Sequence, residues 1–497
     1  MSGIIASTSA GRVQGTRSDG IAVFKGVPYA APPTGDRRFR PPAPLEPWEG
    51  VRDALSLPPS CPQPSARPQG WPQEPSLDED CLYLNVWTPG VDDGGARPVM
   101  VWIHGGGYAI GSGSWPLYDG ERLARRGDAV IVSLNHRLGP LGFLHLASIA
   151  GEEFASSGNN GMLDLVAALE WVRDEITHFG GDPANVTVFG ESGGGAKIST
   201  LLAMPAARGL FHRAVVQSGP ALRVTSERRA EKAARGLLEE LDIDEANLSA
   251  LWDLPAEALV ATTGGGLSRM GFTPVLDGEV VPRHPGDALA DGTAADVPLL
   301  VGCNRDEGAG QLPRDLDDAG LRERLTVYGA DHVEEIITTY RDVFPDASPL
   351  DLYSYVLTDS RMRYGSIRMA ELHSTGTTSP TFLYLFCCEL AGRAGHGYEI
   401  AYHMDNLGQT ATQPSASRQA LADAMSDAWL AFARTGDPNH AGLPDWPTFD
   451  LDRRATMYLD RPECVVHDDP ESPTRELWAR LLDRPKSAPA ATKAATA

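Results

Sequence analysis

The sequence predicts an α/β fold with a large, mostly parallel central sheet that is flanked by helices and carries helical insertions. Apolar runs of strand length recur along the 497-residue chain and alternate with helix-compatible segments. This alternation is typical of a sheet covered by helices on both faces. Two of the apolar runs end abruptly in glycine-rich turns, which marks them as strands that enter tight connections.

The length alone favours two or three domains. However, the interior contains neither a linker rich in proline, serine and glycine nor an internal repeat. Helix-compatible segments at 162–175, 227–241 and 420–433 are spread between the apolar runs. We therefore expect residues 1–484 to form one domain and the short, alanine-rich segment 485–497 to be a disordered tail.

The most informative strand covers residues 186–189 and is followed by Gly-Glu-Ser-Gly-Gly at 190–194. This G-x-S-x-G pattern needs glycine around a serine that sits on a very tight strand-to-helix turn. Chance could produce the pattern in a chain with 52 glycines, but a helix-compatible segment at 196–204 supplies the context that it requires. The turn would present Ser192 as a nucleophile, which also needs a base and donors for an oxyanion.

A second strand is predicted at residues 98–103, and it ends in His-Gly-Gly-Gly-Tyr at 104–108. Three consecutive glycines leave the backbone N–H groups open to a ligand. This is the HGGG-type oxyanion loop that accompanies a nucleophile turn of the kind above.

With these two motifs on one chain, the sequence resembles the type-B carboxylesterases, the cholinesterase-like branch of the α/β-hydrolases. The resemblance runs from residues 24–30 to the region of 446–447 and includes 79–87 and 135–139. It implies an α/β-hydrolase fold and a serine carboxylic-ester hydrolase that works through an acyl-enzyme. It also implies that Ser192 is the nucleophile and that three backbone N–H groups bind the oxyanion, those of Gly106, Gly107 and Gly193.

The same resemblance implies the two other members of a catalytic triad. Glu307, in Asn-Arg-Asp-Glu-Gly at 304–308, matches the acid, and His396, in the glycine-flanked loop 395–400, matches the base. The order serine, glutamate, histidine is that of α/β-hydrolases. We expect the imidazole to titrate at roughly 6–7, as an ordinary histidine does.

Each assignment has a neighbour that competes with it. Asp306 adjoins the proposed acid, and His403 lies in the more periodic segment after the proposed base. Ser218, at a strand end, resembles a serine that contacts the acid–base pair in relatives; the alternative is an ordinary turn residue. Tyr108 and Glu191 adjoin the motifs and are expected at the substrate pocket.

Trp71 is the third pocket candidate, because cholinesterase-like members carry a tryptophan at a similar place that binds a quaternary ammonium. The alternative, which we favour, is that Trp71 packs its loop or lines an apolar pocket for the leaving group. Cys61 and Cys81 flank this loop where the family often carries a disulfide. Whether they are bonded stays open, although free thiols are expected in a reducing compartment.

The composition limits the partners. The formal net charge of −23 argues against nucleic acid or an anionic membrane surface as a partner. With no 18-residue apolar run and no signal-like N-terminus, we expect a cytoplasmic location. The sequence contains no metal-ligand pattern, so we expect neither a metal nor a cofactor. Oligomeric state is open.

The function predicted is hydrolysis of a small-molecule carboxylic ester through a Ser-His-Glu triad. One alternative is a carbamate or amide hydrolase that uses the same triad with a different pocket. The other is a non-catalytic binding protein on this fold, which the presence of all three triad residues argues against.

Overall fold

The computed structural model describes residues 2–64, 76–261, 271–294, 296–410 and 415–483 of the protein. Its strands are β1 (Ser2–Thr8), β2 (Gly11–Ser18), β3 (Ile21–Pro28), β4 (Val51–Asp53), β5 (Tyr83–Thr88), β6 (Arg97–Ile103), β7 (Val130–Leu134), β8 (Gly181–Glu191), β9 (Arg213–Gln217), β10 (Thr225–Ser226), β11 (Val275–Leu276), β12 (Leu299–Asn304), β13 (Thr381–Phe386), β14 (Thr456–Leu459) and β15 (Val465–His467).

The helices are α1 (Glu121–Gly127), α2 (Gly139–Phe143), α3 (Ala147–Ala150), α4 (Asn160–Glu175), α5 (Gly193–Leu201), α6 (Glu227–Glu240), α7 (Ala250–Asp253), α8 (Ala256–Ala261), α9 (Pro285–Ala290), α10 (Asp318–Leu325), α11 (Val333–Val343), α12 (Pro349–Thr358), α13 (Tyr364–Gly376), α14 (Ile400–His403), α15 (Ala416–Thr435) and α16 (Ser472–Leu482). A π-helical turn at Asp359–Arg363 joins α12 to α13.

One sheet of 13 strands contains all of the strands except β10 and β11, which pair with each other. Its order is β1-β2-β3-β5-β7-β6-β8-β9-β12-β13-β14-β15, with β4 beside β2. The seven strands from β7 to β14 in this order are parallel, and the antiparallel pairs lie towards the two edges. The predicted large, mostly parallel sheet is therefore confirmed.

The central strands are apolar throughout because helices cover both faces of the sheet. In β6, Val99 and Val101 belong to the core on one face, while Met100 and Trp102 belong to the core on the other face. This period of two is the geometry of a strand. The segments predicted as helices at 162–175, 227–241 and 420–433 lie in or against α4, α6 and α15.

The order of the strands brings the predicted motifs to one edge of the sheet. The glycine-rich segments follow the carboxyl ends of β6 and β8, and the predicted acid follows β12, next to β13. The carboxyl ends of parallel strands are where open α/β sheets bind ligands. In the described part of the chain, no helix has both the length and the apolar character needed to cross a bilayer.

Two expectations about the organisation of the chain stay predictions. The interpretation of residues 1–484 as one domain stays a prediction, although strands of the 13-stranded sheet come from both ends of that range. The predicted tail, 485–497, lies outside the described residues.

Candidate active site

Ser192 occupies the turn between β8 and α5 in a backbone conformation that is uncommon for a residue with a side chain. Its φ is +56° and its ψ is −119°. Two backbone hydrogen bonds hold the turn: Ser192 N–H donates to the Gln217 carbonyl (2.8 Å), and the Ser192 carbonyl accepts from Ala196 N–H (3.0 Å). Strained residues of this kind concentrate at functional sites and persist because the surrounding structure over-determines them.

Glycines are required where this turn packs against the loop that follows β6. A Cβ on Gly190 or on Gly194 would lie 2.5 or 2.0 Å from the Ile103 carbonyl oxygen, and a Cβ on Gly193 would lie 2.2 Å from the Gly107 carbonyl oxygen. The two segments, 103–107 and 190–194, therefore meet backbone to backbone. We call this contact the glycine seam. It places the N–H-bearing backbone of both segments close together.

Glu307 and His396 form the hydrogen-bonded pair that the sequence predicts. The Glu307 Oε2 atom contacts His396 Nδ1, and Glu307 Oε1 accepts from Asn304 N–H at 2.7 Å. Glu307 N–H in turn donates to the Thr358 hydroxyl (2.9 Å). The Glu307 side chain is only 3% exposed. Both carboxylate oxygens are thus held, and the imidazole orientation is fixed through Nδ1.

The other imidazole nitrogen faces Glu191, the residue before the serine. His396 Nε2 lies 3.2 Å from Glu191 Oε1, and the Glu191 side chain is 6% exposed. Among the described residues, no hydrogen bond joins the Ser192 hydroxyl to His396. Hydrogen bonds of this type are often long before substrate binds. The structure therefore brings the imidazole to the nucleophile turn and pairs it there with a carboxylate.

Buried carboxyl groups shape the electrostatics around this imidazole. Burial, reinforced by Glu307, raises the pKa of Glu191 to about 7. Burial also raises the pKa of Glu399 to about 8, with Glu191 and Glu307 adding to the effect. Although burial disfavours the imidazolium, the Glu191 and Glu307 carboxylates raise the pKa of His396 above its ordinary value. The expectation of a titration at roughly 6–7 is thus corrected upwards. The imidazole is 33% exposed, so water screens part of the interaction.

We expect the acidic limb of the kcat/KM profile to lie above the pH at which an unperturbed histidine titrates. The free imidazole is needed as the base, and activity is lost as pH falls through the raised pKa of His396. Glu191→Gln removes one of the carboxylates that raise this pKa, so the limb should move about one unit to lower pH. Glu399→Gln should move it less, because Glu399 is the weakest of the carboxylate contributions. If the acidic limb of the Glu191→Gln profile stays at the same pH or moves to higher pH, the result contradicts this arrangement.

Asp306, the sequence neighbour that competed with Glu307 as the acid, points to a different part of the same loops. Its buried carboxylate accepts hydrogen bonds from Ala394 N–H (3.0 Å), Arg393 Nη1 (3.1 Å) and Arg305 Nη2 (2.9 Å). Asp306 also forms a β-bridge with Gly395. This residue therefore ties the loop of the acid to the loop of the histidine without touching the imidazole.

We expect Glu307→Gln and Asp306→Asn to fail in different ways. The first removes the charge that holds the imidazole, so kcat should fall by about 10³- to 10⁴-fold with little change in stability. The second leaves hydrogen-bond donors of Arg393 and Ala394 poorly satisfied, so it should lower the free energy of unfolding by about 1–3 kcal/mol and reduce activity much less. Steady-state kinetics and denaturant unfolding on both variants measure this. The opposite ranking of activities would move the acid by one position.

The other candidate for the base, His403, lies in the hydrophobic core. His403 is fully buried and stacks on Trp429, with ring centroids 5.5 Å apart and planes at 6°. Trp102 and Phe189 complete this aromatic environment. Burial lowers the pKa of His403 to about 3, and neither ring nitrogen has a hydrogen-bond partner within the described chain. The residue is a neutral member of the core.

The other predicted site residues divide into three cases. Tyr108 lies in the oxyanion-type loop, partly buried against Phe143. Ser218 directly follows β9 with a positive φ of 48°, and its buried hydroxyl has no partner among the residues described. Its contact with the acid–base pair stays a prediction. Trp71 lies outside the described residues.

The six cysteines are all unbonded, and Cys61 and Cys81 are both buried. Their mutual hydrogen bond, followed by burial, raises the pKa of the Cys81 thiol well above its ordinary value. The Cys61 sulfur also accepts from Leu138 N–H (3.2 Å). Within the described ranges, no group of three or more histidine, cysteine or acidic side chains is placed to hold a metal ion.

Two buried residues near the site carry no role in the sequence analysis. Glu399 accepts from Asn304 Nδ2 (2.5 Å) and lies three positions after His396, within the loop already singled out. Lys197 is buried in α5, one turn after Gly193. A lysine within an otherwise small and apolar helix segment is the signal that could have found it.

Comparisons with known proteins agree with this geometry. A model of the carboxylesterase family matches residues 2–478. The chain belongs to the carboxylesterase family. It is 38% identical to the para-nitrobenzyl esterase of Bacillus subtilis (strain 168), covering 95% of this chain and 98% of that protein. It is 36% identical to the phenmedipham hydrolase of Pseudarthrobacter oxydans, covering 95% and 97%.

The solved structure of a Geobacillus stearothermophilus carboxylesterase at pH 6.2 superposes with a TM-score of 0.86 at 38% identity, over 95% of this chain and 99% of the other. The predicted α/β-hydrolase fold and type-B carboxylesterase family are therefore confirmed. This carboxylesterase is a serine carboxylic-ester hydrolase whose substrates are small-molecule esters.

Proposed function

We propose that Ser192, His396 and Glu307 are the catalytic triad of this carboxylesterase. The observation that carries the proposal is the His396 imidazole, which is held by Glu307 at Nδ1 while Nε2 reaches the nucleophile turn, 3.2 Å from Glu191 Oε1. The strained serine and the glycine seam support it, because both are built at the carboxyl ends of adjacent parallel strands.

In the proposed reaction, His396 Nε2 takes the Ser192 hydroxyl proton while Oγ attacks the ester carbonyl carbon. The Glu307 carboxylate stabilises the resulting imidazolium through Nδ1. The alcohol leaves with the proton that the imidazolium returns, and an acyl-enzyme remains on Ser192. A water molecule, deprotonated by the same imidazole, then releases the carboxylic acid and regenerates the serine.

The tetrahedral intermediate carries a negative oxygen, and we propose that backbone N–H groups of Gly106, Gly107 and Gly193 bind it. Gly106 and Gly107 have positive φ values of 88° and 62°, and Gly193 lies against Gly107 across the glycine seam. Removing one such donor costs about 2.7–4 kcal/mol of transition-state stabilisation in a comparable site. We further propose that Tyr108 and Glu191, on either side of this seam, line the substrate pocket.

The proposal is tested by labelling with a serine-directed organophosphate and by a screen of p-nitrophenyl esters of increasing acyl length, with a p-nitrophenyl carbamate included. We expect one phosphoryl group per chain, on the peptide that contains Ser192, and complete loss of ester hydrolysis on labelling. Labelling of another residue, or activity that survives stoichiometric labelling, would overturn the triad. Faster turnover of the carbamate than of every ester would favour the carbamate hydrolase.

We also propose a cytoplasmic location. Six unbonded cysteines, five of them buried, support a reducing compartment. Cell fractionation that recovers the protein outside the cytoplasm would overturn this.

A further inference from the structure

Lys197 is a fully buried lysine that forms no ion pair with any residue of the described part of the chain. It lies in α5, and its Nζ donates to the His104 carbonyl oxygen at 3.0 Å. Lysine side chains are almost never fully buried unless they are paired, because desolvating an ammonium group is costly. Burial lowers the pKa of Lys197 to about 7. A residue this costly to bury calls for an explanation from its contacts.

The groups that the described structure places around Lys197 come from two other segments, at 104–108 and at 136, and are uncharged. The Tyr108 ring lies with its centroid 5.7 Å from Nζ. The His104 and His136 rings stack with centroids 5.0 Å apart, and burial, together with the nearby Lys197 charge, lowers the pKa of both. Both imidazoles donate through Nδ1, to the Gly105 and Arg137 carbonyls. The lysine therefore meets neutral rings and one carbonyl.

The one hydrogen bond that Lys197 makes in the described structure crosses the glycine seam. His104 is the residue that leads into Gly105, Gly106 and Gly107, while Lys197 stands one helical turn after Gly193. At Gly190, Gly193 and Gly194 the two segments meet through backbone atoms, so these positions offer no side chain that could fix the relative position of the segments. The Lys197 side chain reaches across from one segment to the other.

We propose that Lys197 is a positioning residue of the oxyanion hole, which holds the His104 carbonyl so that the N–H groups of the loop and of Gly193 converge on one point. This inference rests on the proposed oxyanion role of those glycines. Hydrogen-bond donors stabilise the tetrahedral intermediate only while they are aimed at the oxyanion, so a displaced loop lowers the rate of the chemical step. The ground-state ester does not carry this charge, and its binding is affected little.

Lys197→Met tests the proposal, because methionine fills a similar volume without a donor. We expect kcat for p-nitrophenyl acetate to fall by about 10²-fold, with KM within about threefold of the wild-type value. The serine hydroxyl adds to the carbonyl of an alkyl trifluoromethyl ketone, and the adduct carries an oxyanion. The affinity for this ketone should therefore fall by the same factor. Lys197→Gln retains a donor and is expected to keep kcat and ketone affinity within about tenfold of wild type.

Ile198→Val is the matched control. It removes one methylene group from the adjacent fully buried position of α5 and leaves the seam contact in place, so kcat should stay within about twofold. Wild-type kcat in Lys197→Met, or a loss confined to KM with unchanged ketone affinity, overturns the proposal. If Lys197→Met does not fold, Lys197→Gln decides: a folded Gln variant with kcat reduced 10²-fold or more overturns it, and one within tenfold supports it.

The same measurements separate this inference from the proposed function. If the ketone does not inhibit the wild-type enzyme, the assignment of the serine and its oxyanion hole fails. If the ketone inhibits the wild type and Lys197→Met equally, only the role of Lys197 fails.

Discussion

Ser192→Ala is expected to abolish ester hydrolysis, with kcat lower by up to about 10⁶-fold, while the protein stays folded. The hydroxyl is the only nucleophile that the turn presents, and nothing in the proposed reaction replaces it. Alanine carries the same Cβ as serine, so it meets the same cost at a φ of +56° and should not change the stability of the turn. Steady-state kinetics on an activated ester, with thermal unfolding of the same preparation, measures both effects.

Ser218→Ala is the control for this experiment, since Ser218, like Ser192, is a serine that directly follows a strand and has a positive φ. Its hydroxyl makes no hydrogen bond in the part of the chain described, so we expect a loss of activity below about tenfold. If the Ser192→Ala variant keeps more than a tenth of the wild-type kcat, the proposed mechanism is wrong. Ser218→Ala that loses as much as Ser192→Ala would instead show that Ser218 belongs to the acid–base assembly.

His396→Ala should lose about as much activity as Ser192→Ala, because residues of a triad act as a unit. The imidazole contacts Glu307 on one side and faces Glu191 on the other, and no second histidine is within reach of that position among the contacts described. The same kinetics, repeated across pH, give the measurement, and the acidic limb that depends on the imidazole should disappear from whatever activity remains.

His403→Leu is the matched histidine variant. Replacing a buried ring that has no hydrogen-bond partners with an apolar side chain should be close to neutral for stability, and activity should persist. An inactive but folded His403→Leu together with an active His396→Ala would mean that the base had been assigned to the wrong histidine.

The strands and turns of the site could be predicted because their signals are local. The apolar runs before residues 104–107 and 190–194 identify buried strands, and glycines appear where no Cβ fits. The choice between Asp306 and Glu307 rested on resemblance alone. Adjacent side chains in a loop leave in different directions, and only the packed loops show that one reaches the imidazole while the other reaches Arg393.

The contacts that the sequence could not give are those between distant segments. Glu191 and His396 are far apart along the chain, and so are Lys197 and His104. Nothing in the local pattern around any of these residues encodes its partner. The upward shift in the pKa of His396 follows from such contacts, which is why the sequence alone suggested an ordinary titration.

The loops of Glu307 and His396 are joined directly, although the chain between them makes a long excursion through α10 to α13. They follow the paired strands β12 and β13, and the bridge between Asp306 and Gly395 locks them together. The two loops are therefore held together whatever the length of the excursion, which itself reaches the acid only through the hydroxyl of Thr358 in α12 among the hydrogen bonds of the described residues. Each doubling of the length of a flexible loop adds only about 0.6 kcal/mol to the entropic cost of closing it. At the turn between α10 and α11, where Val327 is 79% exposed, we therefore expect an inserted module to leave catalysis largely unchanged.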